Sequence, residues 1–163
     1  MNIFKETFIL VKMVFSNVNN IKTLTTFPME HYPFSRYKYM MWCGNVIYRK
    51  SKPQNAIMKW YDENHEMIHM YQAKDKGRWF KYYISYLWEW LKGLIMTCGW
   101  RGSYYTAKYE VEAYAKEEDL DYLKRRKPEA VNKFKLKNRK SVLRRFPNRW
   151  YYKQWLRNEF ENT

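Results

Sequence analysis

The chain has 163 residues, enough to bury a core within one domain, and 20% of them are aromatic, which excludes an intrinsically disordered chain. Lys and Arg number 31 against 16 Asp and Glu, a net charge of +15, which implies an anionic neighbour such as nucleic acid, an acidic membrane surface or an acidic protein. Cys43 and Cys98 stand far apart and in no ligand spacing; they support neither a disulfide framework nor a cysteine zinc site, and both read as small buried hydrophobes.

In chain order, residues 1–15 predict an amphipathic helix that ends in the polar stretch 16–20. With no small-residue cleavage site, this segment is a poor signal peptide. Residues 21–36, with Pro28 and Pro33, predict an extended loop. Aromatic and β-branched residues at 37–42 and 45–49, around Gly44, predict a short hairpin or one bent strand. Ser51 as a cap and Pro53 in the first turn predict a helix running to about Lys74 and stopping before Gly77. A second helix is expected over 79–97. Its Lys81, Glu89 and Lys92 argue against a membrane span and for a buried or interfacial helix. A third helix, capped by Ser103, is expected over 104–126, and Pro147 is expected to open a last one anchored by Trp150, Tyr151, Trp155 and Phe160. The fold class expected is α+β and predominantly helical. It forms a single domain: an N-terminal helix and loop (1–35), a core (36–128) and a basic aromatic tail (129–163).

The chemistry concentrates in Asn64-His65-Glu66-Met67-Ile68-His69. On a helix, positions i and i+4 lie one turn apart on one face, so two imidazoles can share one zinc ion. Glu66, next to the first histidine, is placed beside the metal, where it can take a proton from a water. The stripe Ile57, Tyr61, His65, Ile68 and Gln72 turns the histidines inward. A catalytic zinc needs a third protein ligand. His31, Glu110 and Glu112 are the candidates, with Glu110, Tyr114 and Glu117 on one stripe and Glu112 on the opposite side, so that one glutamate reaches the metal and the other is exposed.

Beyond these residues, the run Asn64 to Gln72, the aromatic helix 82–94, Tyr109-Glu110-Val111-Glu112-Ala113-Tyr114 and the stretch 120–128 resemble a group of small HExxH zinc-peptidase-like proteins of minimal gluzincin type, with NHExIHxxQ and FExEAY motifs. The Glu-x-x-Ala step is similar to the ExxAD/ExxAN element of membrane CAAX-type proteases and their small soluble relatives. The resemblance implies a zinc cofactor, Glu110 as third ligand and Tyr114 as a residue orienting a ligand, although those proteases carry Asp or Asn at that place. Gln72 is its other candidate supporting residue.

If 45–49 is an edge strand, Val46 and Tyr48 can bind an extended peptide by strand addition. The function expected is a zinc-dependent metallopeptidase acting on a peptide or protein substrate, cytoplasmic or membrane-peripheral. The alternative is a non-catalytic protein of a larger assembly that keeps the fold. Residues 124–157, where basic groups interleave with Phe134, Phe146 and Trp150, suit an anionic membrane surface or nucleic acid.

Overall fold

The computed structural model describes residues 2–18, 23–33, 37–146 and 148–163. Among them are eight α-helices and one three-stranded sheet, an α+β architecture dominated by helix. The chain divides into two compact units, Met1–Lys81 and Tyr82–Thr163. The boundary falls inside a helix, so no linker composition marks it in the sequence.

In the first unit, α1 (Ile3–Val14) is capped by Asn2, whose side chain accepts from the Phe4 N–H. Three strands follow: β1 (Thr25–Met29), β2 (Tyr39–Trp42) and β3 (Asn45–Arg49). β2 and β3 are the antiparallel hairpin, Tyr39 opposite Tyr48 and Trp42 opposite Asn45. Its two turn residues, Cys43 and Gly44, both have positive φ (49° and 79°), the conformation that matches strand twist in a two-residue hairpin. β1 pairs parallel to β3, within the stretch expected to be a loop. Pro28 is tolerated there because β1 is an edge strand.

The sheet order is β1-β3-β2, so β3 is central. This corrects the expectation of a substrate-binding edge at Val46 and Tyr48: both sides of their strand already carry partners. Val46 and Ile47 are buried. Leu10, Met29 and Ile47 form a core cluster joined by Phe27, Met40 and Trp42. The Trp42 indole donates to the Leu10 carbonyl at 2.9 Å and ties α1 down.

Pro53 opens only a 3-10 turn, Pro53–Ala56, after which Ile57 is extended and 81% exposed. The α-helix expected from Ser51 therefore starts later, as α2 (Trp60–Lys76), and Gly77 at φ 72° closes it. The second helix, α3, spans Trp79–Thr97 as expected.

In the second unit, the single helix expected over 104–126 is three: α4 (Trp100–Tyr105), α5 (Lys108–Lys116) and α6 (Tyr122–Arg125). Ser103 is buried inside α4, bonded to the Trp100 carbonyl, rather than capping a helix. A Cβ on Gly93 would lie 2.7 Å from the Ser103 backbone, so glycine permits the close approach of α3 and α4. The tail folds as a 3-10 turn, α7 (Arg139–Arg145) and α8 (Arg149–Glu159), the latter capped by Asn148. Pro147, expected to open that helix, lies outside the described residues. Of the two cysteines, Cys43 is buried, but Cys98 is exposed. Its φ of 53° marks the end of α3 rather than a place in a core.

Candidate metal centre

α2 carries the histidine pair. His65 is buried and His69 half-buried on consecutive turns, with ring centroids 4.9 Å apart. The two Nε2 atoms face each other at 3.2 Å. On the other side of its ring, His69 Nδ1 lies 2.8 Å from Gln72 Oε1. An amide oxygen only accepts, so Nδ1 carries the proton and Nε2 presents its lone pair toward His65. Two nitrogens bound to one tetrahedral zinc at about 2.0–2.1 Å lie roughly 3.3 Å apart. The observed separation fits that geometry. It also suits a hydrogen bond donated by a His65 Nε2–H. Glu66 follows the first imidazole and is half-buried.

α5 carries the acid. All nine of its residues are buried, charged ones included, so every charge on it needs a partner. Glu112 accepts from Arg126 Nε at 2.6 Å and from the Tyr122 hydroxyl at 2.8 Å. It is fully buried, which corrects the expectation that the glutamate opposite Glu110 would be exposed. Arg126, at the end of α6, is what makes this burial tolerable. Glu117, just beyond α5, is held by Lys153 and Arg157 of α8. Lys116 donates to the carbonyls of Phe160 and Glu161. Part of the basic tail is thus spent on internal acids.

Glu110 differs from these acids. It stands in the first turn of α5, where the helix dipole favours a carboxylate, because the chain breaks at Thr106–Ala107 instead of running on from α4. Its Oε1 accepts from the Tyr86 hydroxyl of α3 at 2.7 Å. Burial first, and the charge of Glu110 second, push the phenols of Tyr86, Tyr104, Tyr114 and Tyr152 upward, so they remain protonated donors. Tyr114, four residues on, is 3.3 Å from the Tyr104 hydroxyl and accepts from Arg149 at 3.2 Å.

His65, His69 and Glu110 form a group whose ligand atoms, one from each side chain, lie within 4.8 Å of one another and could hold a metal ion. His31, the other candidate ligand, sits elsewhere, in a group with Glu6 and Glu30. There the buried Glu6 carboxylate accepts the backbone N–H of Glu30 at 2.7 Å and of His31 at 3.0 Å, with His31 Nδ1 3.3 Å away. That carboxylate holds the turn after β1.

Tyr86 was not singled out by sequence reasoning. The available signal was its place on α3, one turn after Tyr82 and in an aromatic run, but only the fold shows which tyrosine meets Glu110. Comparison of the chain with protein-family models, with curated proteins and with solved structures finds no match.

Proposed function

We propose that the chain is a zinc-dependent metallopeptidase of gluzincin-like type, in which His65, His69 and Glu110 hold the metal and Glu66 is the general base. The observation that carries this reading is the grouping of one ligand atom from each of these three side chains within 4.8 Å, two of them in the HExxH register. Two neutral nitrogens and one carboxylate are the donor set of a hydrolytic zinc site with an open position.

Zinc bound there would lower the pKa of a water and polarise a substrate carbonyl. The remaining work falls to the chain. Gln72 fixes the His69 tautomer, so that Nε2 is the donor. Tyr86 orients the Glu110 carboxylate and, held protonated by burial, donates to it across the neutral range. Glu66 takes the proton from water and returns it to the leaving amine.

The test is Glu66→Gln. Wild-type protein should hydrolyse a mixed peptide library, and the variant should lose about 10²–10⁴ in rate while keeping its zinc and its circular dichroism. Hydrolysis equal in both, or none in the zinc-loaded wild type, would leave the non-catalytic assembly protein as the better account.

A further inference from the structure

Two helices turn an apolar face outward. On α3, Phe80, Ile84, Leu87, Trp88, Leu91 and Ile95 are all exposed, Trp88 to 60% and Ile95 to 77%. Their spacing puts them within roughly 100° of arc. The opposite side of α3 carries the buried Trp79, Tyr82, Glu89 and Gly93. α1 and the residue after it repeat the pattern: Phe4, Phe8, Val11 and Phe15 are exposed on one side, while Glu6 and Leu10 are buried on the other. Phe15, at the end of one stripe, stacks on Phe80, at the start of the other, with ring centroids 5.5 Å apart. Stripes of bulky apolar side chains such as each of these are uncommon on a protein facing only water.

The charges beside these stripes select the partner. Lys5 and Lys12 border the α1 stripe and Lys81 borders that of α3. Each helix has one acid, and each acid is turned away: Glu6 is buried at the turn after β1, and Glu89 is paired with Arg139 at 2.6 Å. The whole chain carries +15. A second copy would set lysine against lysine. No helix among the described residues is long and apolar enough to cross a membrane. Phe, Trp, Ile and Leu on one face with lysine at its border is the chemistry of a helix lying in a bilayer interface, the lysines meeting anionic headgroups.

We propose that the exposed faces of α1 and α3 dock the protein on the surface of an anionic lipid bilayer. This stands apart from the metal site and concerns residues that the site does not use.

The test is flotation of the full chain with phosphatidylcholine vesicles, with and without phosphatidylserine. The wild type should favour the anionic vesicles by roughly tenfold. Ile84→Ser with Trp88→Ser should cut binding to them by at least about tenfold. Both side chains are exposed, so circular dichroism and thermal melting should be unchanged. Lys135→Gln with Lys137→Gln, in the tail, should retain binding within about threefold. Three results would overturn the proposal. One is a wild type that stays off both vesicles; another is binding lost in the tail variant and kept in Ile84→Ser/Trp88→Ser. The third is a lipid-free dimer that Ile84→Ser/Trp88→Ser dissociates, which would give the face to a second copy.

Discussion

α5 and α3 invert the usual arrangement in opposite senses. α5 buries Glu110, Glu112 and Lys116, charges that solvent would hold without cost. α3 exposes Ile84, Trp88 and Ile95, apolar surface that a core would hold at a gain. The penalties differ in kind. A buried charge is tolerated only with a partner in place, and Arg126 shows what such a partner looks like. An exposed apolar stripe is tolerated alone, and its compensation can come from outside the chain. The inward charges therefore point to what the fold holds, and the outward apolar residues to what it meets.

Removing the cation that pairs with a buried acid of α5 should have the largest effect. Arg126→Ala leaves the Glu112 carboxylate buried without its guanidinium and should cost about 3–5 kcal/mol in denaturant unfolding, a large part of a typical domain stability of about 5–15 kcal/mol. Adding Glu112→Leu should recover most of the loss. A mild single variant would mean that water already reaches the pair.

Next come the residues that support the metal ligands, where the expected change is in zinc affinity. Gln72→Ala removes the amide oxygen from His69 Nδ1 and should weaken zinc binding by about 10–100-fold, measured by competition with a chelator. Tyr86→Phe removes the hydroxyl from Glu110 and should weaken it by roughly tenfold. Loss of stability with unchanged zinc affinity in Tyr86→Phe would make Glu110 a structural acid like Glu112.

The smallest effect concerns Glu89, the single acid of α3. Burial alone would raise its carboxyl, but hydrogen bonds and charge from Lys92 and Arg139 outweigh it and hold the group below its ordinary value of 4.5. A depressed acid adds stability above its unfolded pKa and loses it as pH falls through the folded value. The melting temperature should thus fall as pH drops below about 4.5, and Arg139→Gln should flatten that fall. An equally steep fall in the variant would assign the acid sensitivity to other carboxylates.

Legibility in the sequence followed the range of the forces involved. The hairpin about Gly44 and the span of α3 were readable because turn residues and helix stops act within a few positions. β1 was hidden by Pro28, which is excluded from central strands but not from an edge. The break before α5 has no proline or glycine to announce it; Thr106 and Ala107 are held by tertiary packing. The histidine register is local and was visible. The fate of Glu112 was not, because Arg126 lies fourteen residues on, and no periodicity pairs them. The same blindness let Val46 and Tyr48 pass for an edge, since strand order is a long-range property.

Zinc content of the purified protein, read by mass spectrometry beside His69→Ala, decides whether His65, His69 and Glu110 hold a metal. The wild type should carry about one equivalent of zinc and the variant should lose it, with the helical circular dichroism of both alike. A wild type that takes up no divalent metal at neutral pH, or a variant that keeps the full equivalent, would contradict that metal site.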